Sequence, residues 1–346
     1  MKKEMRIKKD DLLTKLEAVK PGLSNKDIIE FADSFSFHKN QLITYNDFIC
    51  VKCPIDLDLQ GTIKSDHFYQ IIKKFKTDKN GELIFKIKNN ELIIKSNKAK
   101  AGVPINREGK ITLHELGEIP KKWKKLPDDF SEGIRLSAFA AGNDASEPIL
   151  TCLHIHADTI ESSNGQRAFK YHMEKEINKT FLLPAFSVPA LLQHPIKFYN
   201  ISKNWLHFKT KENLIISCRM YEDEQFPDTD FLFNISGSEI HFPDKIKDSI
   251  ERAIVFTDTE EDDNDITIEI DKKETLIQSK SKNGWFKEKI SNKSKTKVSF
   301  EINPFFLKDI LKSSAKAIID KKGGNLLKFS ADKWEYVINI FMNSAK

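Results

Sequence analysis

The stretch KVSFEINPFFLKDILKSS (297–314) begins as an alternating strand and passes, across Asn303-Pro304, into an amphipathic helix. The same design stands at DLQGTIKSDHFYQIIKKF (58–75) and NKTFLLPAFSVPALLQHP (178–195). Counting on from Ile63, Leu183 and Ile302, the fifth residue is Phe68, Val188 and Leu307, and the eighth and ninth are Ile71-Ile72, Leu191-Leu192 and Ile310-Leu311. The three anchors lie 120 and 119 residues apart. Self-similarity at a fixed period constrains architecture more than any short motif. The 346 residues have room for roughly two or three domains, and the period reads as one unit used three times.

Each unit reads helix, strands with a hairpin, helix, strands. First helices are predicted over 8–20, 127–141 and 243–256, where apolar residues recur at spacings of three and four: Leu12, Leu13, Leu16, Val19; Phe130, Ile134; Ile246, Ile250, Ile254. Hairpin turns are expected at Gly165 and Gly284, each 18 residues before its anchor, and at Asn46-Asp47, 17 and 16 before Ile63. Alternating strand pairs follow the second helices over 82–96, 196–220 and 325–341. Polar connectors at 106–125 and 223–239 divide the chain into 1–107, 108–234 and 235–346. The acidic run DTEEDDND (258–265) reads as a solvated loop. The expected class is α+β: three repeated domains, each with two helices packed on antiparallel sheet.

No apolar run approaches the ~18 residues of a membrane span, and the basic N-terminus lacks the apolar segment of a signal peptide. Four cysteines are no disulfide framework, so a reducing cytoplasm is expected. Cys50 and Cys53 form a CxxC without a second knuckle and within a strand pattern, and read as small buried residues rather than zinc ligands. Cys152, His154 and His156 fall on one face of a strand. They are of ligating type, but adjacent strand positions seldom converge on one ion, so no metal and no cofactor are expected. Phosphate loop, nucleophile elbow and HExxH are absent, and no catalytic residue can be named.

Net charge is +5, and 50 of the 56 basic residues are lysine. Codon bias in an AT-rich genome would produce the same excess, so arrangement matters. Lys308, Lys312 and Lys316 sit at i, i+4 and i+8 beside an apolar stripe. The matching helix of the first unit offers Lys64, Lys73, Lys74 and Lys76, and the first helices offer Lys8, Lys9, Lys15 and Lys20, then Arg135, then Lys245, Lys247 and Arg252. Any one helix could simply be a solvated face; four with a cationic bias suggest a surface that faces phosphates. Lysine is a flexible point charge, whereas the arginine fork reads guanine, so duplex DNA would be bound without regard to sequence.

This architecture resembles the bacterial sliding clamp, the beta subunit of replicative DNA polymerase. The carrying pieces are SSNGQRA (162–168), FPDTDFL (226–232), IKSNKAKAGV (94–103), FEINPFFLKDIL (300–311) and WEYVINIF (334–341), in the family's order along the whole chain. The resemblance implies three clamp-fold domains forming half of a closed ring, with a homodimer joined head to tail around DNA. It implies a non-catalytic processivity factor that binds a DNA polymerase and a clamp loader through short peptide motifs. By position, the peptide groove would use Ser163, Gly165, Gln166, Arg167, Ala168, Pro227, Phe231, Leu232, Val337, Ile338, Asn339, Ile340 and Phe341. The dimer interface would bring Lys100, Ala101 and Val103 to Ile254 and Val255. Ala168 replaces a family leucine and Asn339-Ile340 a Met-Pro, which implies a different preferred peptide. Ala101 stands where a phenylalanine usually packs; losing a buried aromatic costs about 3 kcal/mol or more, which implies a ring that opens more readily. The alternative is a clamp-fold scaffold that binds protein partners without encircling DNA.

Overall fold

A computed structural model describes residues 4–26, 29–109, 111, 119–221, 225–257, 265–320 and 325–343. The first repeat runs β1 (Met5–Lys8), α1 (Lys9–Val19), β2 (Ser34–His38), β3 (Gln41–Tyr45), β4 (Ile49–Pro54), β5 (Gly61–Lys64), α2 (Ser65–Lys74), β6 (Glu82–Lys88), β7 (Glu91–Ser96) and β8 (Ala99–Pro104). The second runs β9 (Lys124–Lys125), α3 (Phe130–Ser137), β10 (Cys152–Ser163), β11 (Arg167–Pro184), α4 (Val188–Leu192), β12 (Ile196–Ser202), β13 (Trp205–Thr210) and β14 (Ile215–Arg219). A short helix, α5 (Asp230–Phe233), leads into the third: β15 (Gly237–His241), α6 (Ile246–Ile254), β16 (Ile266–Ile270), β17 (Glu274–Ser281), β18 (Gly284–Ser291), β19 (Val298–Ile302), α7 (Pro304–Ile310), β20 (Lys316–Asp320), β21 (Leu326–Ala331) and β22 (Trp334–Met342). In the second repeat, β10 and β11 each span what the others divide into two strands.

Pairing confirms the count. The anchors Ile63, Leu183 and Ile302 lie opposite Phe35, Leu153 and Ile266, and all six are buried. The hairpin turns fall at Asp47, Gly165 and Gly284, with φ of 75°, 85° and 134°. A Cβ at Gly165 would meet no atom within 4 Å, so the left-handed backbone alone asks for glycine there. On the second helices Phe68, Val188 and Leu307 are buried, together with Ile72, Leu191 and Ile310. The inward partner is thus the ninth residue in the first repeat and the eighth in the others; both lie on the face of the fifth.

The lysine stripe of 308, 312 and 316 does not exist as a helical feature. α7 starts with Asn303 accepting from the Phe305 and Phe306 amides and stops at Ile310. The Ser313 and Ser314 amides both turn back onto the Ile310 carbonyl, and the Ser314 hydroxyl accepts from the Lys316 amide. Serine offers the backbone an alternative to the helix, and Lys316 instead opens β20, opposite His241.

Contacts divide the chain into two compact units, Met1–Ser131 with Phe186–Glu222, and Glu132–Ala185 with Asp223–Lys346. The first unit holds the sheets β1-β6-β7-β8 and β5-β2-β3-β4-β14-β13-β12-β9; the second holds β15-β20-β21-β22-β19-β16-β17-β18, to which β11 and then β10 are added through β22. The units cut through the middle repeat because the last strand of one repeat pairs with the hairpin of the repeat before it. β14 lies on β4 (Cys218 opposite Ile49), and β22 on β11 (Ile338 opposite Arg167). All four cysteines are buried and none is in a disulfide. Cys50 and Cys53, three apart on β4, point to opposite faces and cannot share an ion. Burial pushes the Cys50 thiol up to about 12. Of the acidic run, all but Asp265 lies outside the described residues.

Candidate binding groove and free sheet edges

In the second unit, β11 and β22 bring the hairpin and the C-terminal strand side by side, with the Asn339 amide donating to the Gln166 carbonyl at 2.9 Å. Ala168, Phe233 and Val337 form a small buried cluster, with Leu232 packed against it. The Lys328 ammonium donates to the Phe233 carbonyl at 2.6 Å and so fixes the end of α5. Above this floor lies a cavity of about 460 Å³. Ser163, Gly165, Gln166, Arg167, Ala168, Phe231, Leu232, Val337 and Asn339 line it, all expected at a groove.

Four expected residues do not line it. Ile338 and Ile340 are buried on the other face of β22, as period-two alternation demands once Val337 and Asn339 face the cavity. Phe341 is exposed farther along β22, opposite Glu301, and Pro227 is exposed outside the lining. Conversely, Asn234, Ile235, Ser236, Asp320 and Leu326 line the cavity without having been expected. Leu326 lies directly opposite Asn339, so pairing out the last hairpin would have found it. Arg167 contributes little free charge. Its guanidinium donates to the Phe139 carbonyl, lies 3.5 Å from the Asp309 carboxylate and sits 4.2 Å from the centre of the Phe306 ring. An apolar floor, Phe231 standing 68% exposed at the side and a polar margin of Ser163, Gln166, Asn339 and Asp320 suit an extended segment with apolar anchors.

The expected phosphate-facing cations are largely engaged within their own units. The Lys15 ammonium donates to the Pro54 carbonyl at 2.9 Å, and Lys64 pairs with Asp33. Lys20 lies 3.5 Å over the Tyr69 ring and Lys73 5.9 Å from it, while the Tyr69 hydroxyl donates to Glu17 at 2.6 Å. Arg252 holds Glu288 through contacts of 2.7 and 2.9 Å, and Lys308 holds Glu251 at 3.0 Å. Lys312 faces Asp309 at 3.4 Å and Arg135 faces Glu132 at 3.5 Å. Lys9 caps the C-terminus of α2, donating to the Lys73 and Phe75 carbonyls at 3.0 and 2.7 Å. Lys8 and Lys74 are exposed and Lys247 half-buried. Counting lysines therefore overstates the available positive charge.

β8 and β18 are terminal strands of their sheets. Beside β8 lies a hollow of about 580 Å³, lined by Asp66, His67, Gln70, Ile71, Lys74, Phe75, Lys76, Ala99 and Ala101. Lys100 is exposed and Ala101 half-buried, but Val103, expected at an interface, is buried in its own unit because its side chain points under the sheet. On the second unit Val255 is 70% exposed and Ile254 half-buried at the end of α6. Phe256 stacks on Phe286 of β18 at 6.1 Å, and Trp285 beside it is 70% exposed.

No protein-family model matches the chain, and no curated protein matches it. Solved structures do. The DNA polymerase III beta chain of Streptococcus pneumoniae TIGR4 is similar at a TM-score of 0.82 and 20% identity, covering 98% of this chain and 100% of that one. The DNA polymerase sliding clamp of Bacillus subtilis is similar at 0.80 and 17%, covering 99% and 100%. The DNA polymerase III beta subunit of Thermotoga maritima is similar at 0.76 and 14%, covering 99% and 100%. Over nearly its whole length, with its repeat of helix, hairpin, helix and strands, the chain has the fold of the bacterial DNA polymerase III beta sliding clamps.

Proposed function

We propose that the chain is the subunit of a DNA sliding clamp: two copies close head to tail into a ring around duplex DNA and tether a polymerase, doing no chemistry themselves. One observation carries this reading. The last strand of the third repeat pairs with the hairpin of the second, and that of the second with the hairpin of the first. Among the described residues, the last strand of the first repeat, β8, and the hairpin strand of the third, β18, are both left as edges. Exposed edges are templates for pairing with another chain, and the series continues if β8 pairs with β18 of a second copy. Doing this twice closes a ring of six repeats.

The register follows from the two pairings within the chain. Ile49 and Arg167, each two residues past the hairpin turn, face Cys218 and Ile338. Cys218 and Ile338 face Leu206 and Leu327 in their own hairpins, as Val103 faces Leu92. Phe286, two residues past Gly284, is therefore opposite Val103 of the other copy; antiparallel pairing then sets Glu288 opposite Ala101 and Lys289 opposite Lys100. The hollow beside Ala101 would receive Val255 and Phe286, which supply apolar bulk where Ala101 has none.

Within such a ring the repeats act as domains spanning 1–107, 108–234 and 235–346. Lys8, Lys15, Lys20, Lys64, Lys73, Lys74, Arg135, Lys247, Arg252, Lys308, Lys312 and Lys316 would lie toward DNA, with much of their charge already balanced. Weak, sequence-independent contact is enough when retention is topological, and affinity for open linear duplex should be poor and steeply salt-dependent. The 460 Å³ cavity would take apolar anchors of short peptides from the polymerase and the loader.

The test is solution mass together with negative-stain electron microscopy. A two-chain ring with a central hole is expected. A monomer at micromolar concentration, or a dimer without a hole, would sink the proposal.

A further inference from the structure

β10 does not alternate cleanly. Its pairing with β11 shifts register between Ile155 and Ala157 and again between Ala157 and Thr159. Ala157 has φ +46°, a left-handed conformation few residues other than glycine adopt. Bulges of this kind re-aim side chains. Cys152 is fully buried, whereas the rings of His154 and His156 stack 4.5 Å apart at 22°. Glu161, from the far end of the same strand, meets both: His154 Nδ1 and His156 Nε2 each lie 3.4 Å from its Oε2. The donor atoms of the three residues all lie within 4.8 Å of one another.

We propose that His154, His156 and Glu161 form a binding site for a divalent transition-metal ion of the zinc class. Spacing is the first argument. Donors about 2.0–2.1 Å from a tetrahedral ion stand about 3.3–3.4 Å apart along each edge, the separation of both imidazole nitrogens from the carboxylate oxygen. Donor chemistry is the second. Two imidazoles and one carboxylate suit zinc, cobalt or nickel, whereas calcium and magnesium take oxygen.

The third argument is the surrounding shell. Lys170 Nζ holds the other carboxylate oxygen, Oε1, at 2.8 Å and is itself bound by Asp230, so Oε2 is left facing the rings. Orientation by an outer partner is typical of built metal sites. Phe226 stacks on His154 at 5.0 Å and covers one side.

His156 Nε2 also has the Thr159 hydroxyl at 2.7 Å, and that hydroxyl donates to the His156 carbonyl at 3.0 Å. With metal bound, His156 Nε2 would exchange the Thr159 hydroxyl for the ion.

Metal-free full-length protein titrated with Co²⁺ tests the site. The expected result is one Co²⁺ per chain with the visible bands of a four-coordinate nitrogen–oxygen set, displaced by Zn²⁺. His156→Ala, at a half-exposed position, should fold normally by circular dichroism and bind Co²⁺ more than about tenfold more weakly, a larger loss than the mildest outer-partner changes cause. Glu161→Gln should do the same if it folds. Unchanged affinity in His156→Ala, a thiolate–cobalt absorption band, or no cobalt bands up to millimolar metal would each overturn the proposal.

Discussion

A pair of cysteines placed at Lys100 and Lys289 should join two copies of the chain covalently. The pairings of β4 with β14 and β11 with β22 set these residues directly opposite each other across the proposed β8–β18 junction. Both are exposed, on the sheet face away from the helices. Opposed residues in an antiparallel pair have Cα atoms about 4.5–5.5 Å apart, inside the 4.4–6.8 Å window of disulfides. Moving one cysteine two places, to Lys287 in place of Lys289, makes the pair diagonal at about 7–8 Å, beyond that window. Under mild oxidation, Lys100→Cys with Lys289→Cys should run as a dimer on a non-reducing denaturing gel, while Lys100→Cys with Lys287→Cys should remain largely monomeric. All four native cysteines are buried, so background should be low. Equal cross-linking of the two variants would refute the register. Absence of cross-linking in both, with a dimer present in solution, would refute the choice of strands.

The same junction sets Lys100 against Lys289, and like charges directly opposite cost about 0.2–1 kcal/mol. Lys100→Glu should lower the dimer dissociation constant by about 2- to 30-fold over two junctions, toward the low end because Lys289 already holds Glu274 at 2.5 Å; sedimentation would read it, and weaker association would contradict the pairing. Phe231→Ala with Leu232→Ala should cost about 2 kcal/mol or more of peptide affinity by fluorescence polarisation, with the oligomer mass unchanged; undiminished binding would remove the cavity as the docking site. Lys170→Met removes the cation that holds buried Glu161 and leaves it only His154 and His156, which should destabilise the protein in urea by up to about 3–5 kcal/mol, and adding Glu161→Gln should recover most of it. Because the Glu161 pKa is depressed, to about 2 from 4.5, its contribution is fully present above pH 4.5 and fades as pH falls toward 2. Urea midpoints that do not fall across that window would show the carboxylate is not held as described.

The repeat, its anchors and its hairpin turns were legible because they are distances along the chain. Asp47, Gly165 and Gly284 could be counted to, and the left-handed backbone found there is what such turns require. Where α7 ends was harder: Lys312 and Lys316 continue a helical spacing, and only the serines between them signal the stop. The partners of the cations were invisible, since Glu288, Glu251 and the Pro54 carbonyl reach Arg252, Lys308 and Lys15 from other elements. Nine of the fourteen residues that line the cavity followed from position, but the expectation of Ile338 and Ile340 ignored an alternation already readable in WEYVINIF. The bulge at Ala157 has no sequence signature, so His154 and His156 could be grouped with Cys152 but not with Glu161.

Sharing sheets between consecutive repeats has a consequence for how the chain is made. β4 cannot meet its second neighbour until β14 emerges, because Ile49 and Cys218 are 169 residues apart, and β11 waits similarly for β22, with Arg167 and Ile338 171 apart. At about 5–20 residues per second, each strand, paired on one side with β3 or β10, keeps its other edge open on the ribosome for roughly 8–35 s, long enough to pair wrongly with a neighbouring nascent chain. β4, ICVKCP, carries Lys52 within it and Pro54 at its end. A charge and a proline are what blunt an open strand edge, so these two residues are placed to guard the nascent strand until its partner arrives.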